Sequence, residues 1–100
     1  MSKEYDAILI GAGIIGSCTA LEMARKGYRT LNIDKLAAAG SGSTSNTCAI
    51  IRLHYSTPQG VTMAREGYFY WIDWPRHLGV ADEAGMARYV NTGALVMKTE

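Results

Sequence analysis

Gly11, Gly13 and Gly16 stand at the spacing G-x-G-x-x-G, directly after the apolar run Ile8-Leu9-Ile10. Glycines so placed allow a tight strand-to-helix turn. They also let a diphosphate approach bare backbone at the positive end of the following helix. Asp34 lies 18 residues beyond Gly16, near the separation of ~20 at which an acid ending the second strand reaches the adenosine ribose hydroxyls. A carboxylate there repels a 2′-phosphate, although Lys35 beside it softens that exclusion. These residues together read as a dinucleotide site. The plainer alternative is that the glycines serve only a tight turn and close helix packing.

Two further stretches hold candidate chemistry. Residues 35–47 turn small and polar, with Gly40-Ser41-Gly42-Ser43-Thr44-Ser45-Asn46 at their centre. Composition alone allows either a flexible linker or a tight loop whose amides and hydroxyls cup a ligand. Arg52 follows within the apolar run Cys48 to Leu53. A guanidinium in such surroundings needs an anion, and a carboxylate suits its bidentate fork. That carboxylate belongs either to a ligand or to a structural acid elsewhere in the chain. His54 and Tyr55 come next and either face the same site or end the strand.

The elements that must position these residues follow from periodicity. Tyr5 to Ile10 is a near-continuous apolar run, as in a parallel strand covered on both faces. Ile14 to Lys26 reads as a helix, with Ile14, Cys18 and Leu21 on one stripe, Arg25 and Lys26 at its C-terminal end and Gly27 closing it. Tyr28 to Ile33 is a second strand, so residues 5–34 form one β-α-β unit with a right-handed crossover. Thr57-Pro58 starts a further helix reaching about Asp73, apolar enough to expect burial on more than one side. Pro75 and Leu78-Gly79 end it. Met86 to Val90 and Ala94 to Met97 are expected as a hairpin about Asn91-Thr92-Gly93, the start of a mixed or antiparallel sheet.

The chain has 100 residues, 48% of them apolar and 19% charged, with a net charge of +1. Those values fit an ordinary globular domain and lend no support to nucleic-acid binding. Cys18 and Cys48 form no disulfide framework and no metal-ligand spacing, and Cys18 is expected as a small core residue. No signal peptide and no membrane span is legible, which makes the cytoplasm the default location. The sequence stops just after a strand-like segment, so a piece of a longer fold is expected, divided into residues 1–56 around the cofactor and 57–100 towards the substrate side.

The run Tyr5-Asp6-Ala7-Ile8-Leu9-Ile10-Gly11-Ala12-Gly13-Ile14-Ile15-Gly16 resembles the N-terminus of the FAD-dependent amine and amino-acid oxidoreductases. That family includes D-amino-acid oxidase, glycine oxidase, sarcosine oxidase and dimethylglycine dehydrogenase. The resemblance continues through Gly42-Ser43-Thr44-Ser45-Asn46, Ala49-Ile50-Ile51-Arg52 with Tyr55, the helix ending near Trp71, and Thr92-Gly93-Ala94-Leu95-Val96. In these motifs the sarcosine oxidase branch is the nearest.

The resemblance implies an α/β fold, the N-terminal part of a Rossmann-like FAD-binding domain. It places Gly11, Gly13, Ile14, Ile15 and Gly16 at the FAD diphosphate, Asp34 at the ribose and Lys35 beside the adenosine. Ser43, Thr44 and Ser45 would follow the diphosphate and ribityl chain towards the flavin, and Arg52 would pair with the substrate carboxylate. The implied reaction oxidises the CH–NH bond of a small amine or amino acid to an imine, with O2 or an electron carrier taking the electrons. Asn46 stands where some relatives attach FAD through histidine, which implies non-covalent FAD here. Ala49 replaces a basic residue of the sarcosine oxidases, leaving oxidase and dehydrogenase both open. Alone, the 100 residues are expected to bind FAD weakly and catalyse nothing, and a partner chain is one source of the rest of the fold. The alternatives are the nucleotide-binding domain of an NAD-dependent dehydrogenase, which the Ser/Thr loop and Ile-Ile-Arg argue against, and a non-catalytic dinucleotide-binding module.

Overall fold

Short apolar strands either side of one helix give the chain its first unit. In a computed structural model that describes residues 4–97, strand β1 spans Ala7–Ile10, helix α1 Ile14–Arg25 and strand β2 Thr30–Ile33. The strands pair in parallel, in register from Ala7 with Thr30 to Ile10 with Ile33. At one end the ladder continues through the Asp6 N–H, which donates to the Arg29 carbonyl at 2.8 Å. At the other the Gly11 N–H donates to the Ile33 carbonyl at 2.7 Å. This is the expected β-α-β unit, with each strand shorter than its apolar run. Lys26 caps α1, and Gly27, at φ +88°, takes the left-handed turn that follows.

One expectation about these strands needs correction. Ala7 and Leu9 are half-buried, but Ile8 and Ile10 are 60% and 89% exposed. A two-stranded sheet crossed by one helix is covered on one face, so the apolar run meets packing on alternate residues. The same geometry leaves Cys18 half-buried rather than in a core, and no described residue is fully buried.

The described residues divide into two compact units between Ala49 and Ile50. In the second, helix α2 spans Pro58–Ile72 and helix α3 Trp74–Leu78. The Thr57 hydroxyl caps α2 by accepting from the Gly60 N–H at 3.2 Å, with Pro58 in the first turn. Asp73 breaks the helix, Pro75 opens α3, and Gly79 ends it in the left-handed region at φ +73°. The aromatics pack on one another: Trp71 stacks on Trp74 at 4.5 Å between ring centroids, and Tyr68 meets Tyr89 edge-on at 5.6 Å. α2 is nevertheless not buried on several sides, with Met63 76% exposed.

The hairpin expected over Met86 to Val90 and Ala94 to Met97 does not form among the described residues. The turn chemistry is present, with Gly93 at φ +71° and the Thr92 N–H donating to the Val90 carbonyl at 3.1 Å. No ladder joins the flanking segments. An isolated two-stranded pair is marginal in water, so turn residues alone do not secure it.

Candidate functional site: the glycine turn and the loop above it

Each of the three glycines is required for a different reason. Gly11 has φ +107°, a conformation that a side chain strongly disfavours. A Cβ on Gly16 would lie 2.0 Å from the Gly11 carbonyl oxygen, so α1 packs against the turn at a distance that excludes any side chain. A Cβ on Gly13 would lie 2.9 Å from the Thr44 hydroxyl oxygen. That last contact ties the small polar loop to the motif.

The loop is not a free linker. The Gly40 N–H donates to the Ala12 carbonyl at 2.8 Å, and the Thr44 hydroxyl accepts from the Ile14 N–H at 3.0 Å. Within the loop, the Ser45 hydroxyl and the Asn46 amide both donate to the Gly42 carbonyl, at 2.9 and 3.0 Å. Gly13, the N-cap of α1, has no side chain to cap with, and Thr44 supplies the missing acceptor from 30 residues away. Its hydroxyl proton is left to donate elsewhere.

At the head of α1, the Ser17 N–H returns to the Gly13 carbonyl at 2.9 Å. The Ile15 and Gly16 N–H groups have no acceptor among the described residues. No acidic side chain lies in the first turn of α1, so no carboxylate of the helix itself takes up these N–H groups. Two N–H groups without acceptors, glycines that leave the backbone bare and a hydroxyl with a proton to give fit a phosphate group.

Asp34, exposed at the end of β2, reaches the same turn. One carboxylate oxygen accepts from the Ala12 N–H at 2.7 Å and the other from the Leu36 N–H at 2.9 Å. Those two backbone bonds, the Ala12 one foremost, hold its carboxyl below the ordinary value of 3.8, with the Lys35 N–H and charge adding to them. Each oxygen keeps a further lone pair. Lys35 and Ser43 are exposed beside the site, and neither makes a side-chain hydrogen bond among the described residues.

Of the residues singled out above, Gly11, Gly13, Ile14, Ile15, Gly16, Asp34 and Thr44 come together at one place. Ser43 and Ser45 stand on the same loop, with the Ser45 hydroxyl turned into it. Arg52 belongs to the second unit, exposed, with its guanidinium 4.9 Å from the centre of the Tyr55 ring. No acid pairs with it among the described residues. Two contributors were not anticipated: Gly40, and Asn32 of β2, whose amide donates to the Gly16 carbonyl at 3.3 Å. An asparagine inside an apolar strand was the signal for the second. Among the described residues no helix is long and apolar enough to cross a membrane, and no cluster of three or more His, Cys, Asp or Glu could hold a metal.

Comparison with known proteins finds one matching family model and relatives of more than one kind. The sequence profile of the FAD-dependent oxidoreductases matches residues 6–98. A Caenorhabditis elegans protein named as a sarcosine oxidase is 32% identical over 69 residues, 68% of this chain and 18% of the relative. A Dictyostelium discoideum protein named as a bifunctional amine oxidase is 27% identical over 94 residues, 93% of this chain and 9% of the relative. Squalene epoxidase of Saccharomyces cerevisiae is 55% identical over 31 residues, 31% of this chain and 6% of the enzyme. The chain thus spans less than a fifth of the length of these relatives. No solved structure matches it significantly.

Proposed function

The chain belongs to the FAD-dependent oxidoreductase family, and from that premise we propose that it holds the adenosine-diphosphate half of FAD in a protein that oxidises the CH–NH bond of a small amine or amino acid. The single observation that supports this most directly is the meeting of Asp34 and Thr44 on one glycine turn, at 2.7 Å from the Ala12 nitrogen and 3.0 Å from the Ile14 nitrogen. The names of the two relatives that cover most of the chain favour an amine substrate.

In this proposal the Ile15 and Gly16 N–H groups and the Thr44 hydroxyl donate to phosphate oxygens. Gly11 and Gly13 leave room for the diphosphate. The remaining lone pairs of Asp34 accept from the ribose hydroxyls, with Lys35 beside the adenosine. Ser43 and Ser45 line the path towards the flavin. When bound, FAD supplies the acceptor for a hydride from the amine Cα–H. Asn46, an amide held on the Gly42 carbonyl, has no imidazole to form a covalent link, so the cofactor is held without one. Arg52 takes the substrate carboxylate through its bidentate fork, with the Tyr55 ring steadying the guanidinium by a cation–π contact. Electrons then pass to O2 or to a carrier. Residues 1–56 serve the cofactor and residues 57–100 lead to the substrate side. The 100 residues alone bind FAD weakly and turn over no amine.

The test is the absorbance spectrum of the purified full protein, followed by acid precipitation. Flavin bands near ~450 nm, with the flavin released into the supernatant, are the expected result. A colourless protein that binds NAD favours a nicotinamide enzyme. Binding of FAD without any amine oxidation across a carboxylate-bearing series favours a non-catalytic dinucleotide module.

A further inference from the structure

Asn32 is an anomaly of β2, whose other residues are Thr30, Leu31 and Ile33. It is half-buried on the side that meets α1, where strands under a helix present apolar residues, and asparagine is depleted from strands in general. Its amide nitrogen donates to the Gly16 carbonyl at 3.3 Å. Asp34, two residues on and therefore on the same side of the extended chain, accepts from the Ala12 N–H at 2.7 Å. One strand end thus grips the glycine segment twice, by a donor at its far end and an acceptor at its near end. The two backbone N–H groups left without an acceptor, those of Ile15 and Gly16, lie between these grips.

We propose that Asn32 is a positioning residue for the cofactor, fixing the direction in which the first turn of α1 presents its N–H groups. The inference rests on the flavin reading above and deepens it. Asp34 holds this segment at Ala12 and Thr44 holds it at Ile14, where α1 begins, whereas the Asn32 contact at Gly16 reaches into the first turn itself and sets its rotation. Asn32 itself touches no part of the ligand. Its polar group in an otherwise apolar strand costs sheet stability and contributes orientation instead.

That trade-off gives the test. In the full protein, Asn32→Leu replaces the amide with an apolar group of similar size that suits a strand beneath a helix. The cofactor-free variant is expected to keep or raise its melting temperature while FAD and ADP, which share the diphosphate, each bind about fivefold to tenfold more weakly. Asn32→Asp removes the donor and turns a carboxylate to the Gly16 carbonyl, and is expected to weaken both ligands further. Affinity for FAD within twofold of wild type in Asn32→Leu overturns the inference. So does a parallel fall of affinity and melting temperature in both variants, which marks a merely structural contact. A wild-type protein that takes up no FAD overturns the flavin reading itself, a result distinct from either.

Discussion

Gly16→Ala is the sharpest perturbation of the glycine turn. An ideal Cβ at that position stands 2.0 Å from the Gly11 carbonyl oxygen and 3.0 Å from its carbon. Both are backbone atoms at the end of β1 and cannot swing aside. Reaching 3.4 Å, the near limit of ordinary van der Waals contact, requires α1 to move about 1.4 Å away from the turn. Overpacking of this kind typically costs about 1–3 kcal/mol of stability. A displacement of that size also exceeds the tolerance of a hydrogen bond, so the Ile15 and Gly16 N–H groups no longer reach the same phosphate oxygens. Hydrogen bonds to a charged group contribute about 1.5–3 kcal/mol each, so losing two weakens FAD by about a hundredfold or more. Flavin-fluorescence titration and urea unfolding of the cofactor-free protein measure the two effects separately. Gly13→Ala is the comparison for stability alone: its Cβ would meet only the Thr44 hydroxyl, at 2.9 Å, and that side chain can rotate away at a cost of about 1 kcal/mol for the lost cap. Gly16→Ala that binds FAD within tenfold of wild type, or that unfolds no more readily than Gly13→Ala, refutes the packing argument.

Other outcomes follow from the same contacts. Thr44→Val removes the acceptor for the Ile14 N–H at constant shape, and is expected to cost about 1 kcal/mol in chemical unfolding and to weaken FAD, whereas Thr44→Ser retains both. Because the folded-state carboxyl of Asp34 lies below its ordinary value of 3.8, its contribution is present above that value and lost as pH falls through the depressed one. The melting-temperature advantage of wild type over Asp34→Asn should therefore hold near neutrality and vanish in strong acid; a difference that persists there contradicts the Ala12 bond as its source. In the full protein, Arg52→Ala should raise KM for a carboxylate-bearing amine by about a hundredfold, from ~2–4 kcal/mol of lost charge-assisted contact, while an amine without a carboxylate changes little. An unchanged KM makes Arg52 structural.

The β-α-β unit was legible because the sequence specifies it three times over: by apolar runs of strand length, by helical spacing between them and by glycines where the backbone needs them. Asp34 was legible from its distance along the chain. Thr44 was legible only as part of a small polar loop, since composition does not distinguish a linker from a loop folded back over Ala12 and Ile14. The bond that decides the matter joins residues 30 apart. The hairpin after Met86 failed for a related reason. Asn91-Thr92-Gly93 encodes a turn locally, but a strand is stabilised by its neighbours across the sheet, and nothing local to residues 86–97 supplies them. The burial expected for α2 on more than one side did not follow, because periodicity shows which residues share a face and not how much of that face a neighbour covers.

The residues under the tightest physical constraint say least about the reaction. Gly16 is fixed by a backbone oxygen, Gly13 by a hydroxyl and Asp34 by two N–H groups, and none of these contacts depends on what is oxidised. The spread of the relatives has the same character. A squalene epoxidase is 55% identical, but over only 31 residues, while the proteins named for sarcosine and amine oxidation are 32% and 27% identical over 69 and 94. Evidence for an amine must come from residues free to differ between such enzymes. In this chain Arg52 is the residue proposed to meet the substrate, and it lies in the unit apart from the glycine turn. Substitutions around Gly16, Thr44 and Asp34 therefore test whether FAD is held, and the KM of Arg52→Ala across amines with and without a carboxylate tests what the flavin is held for.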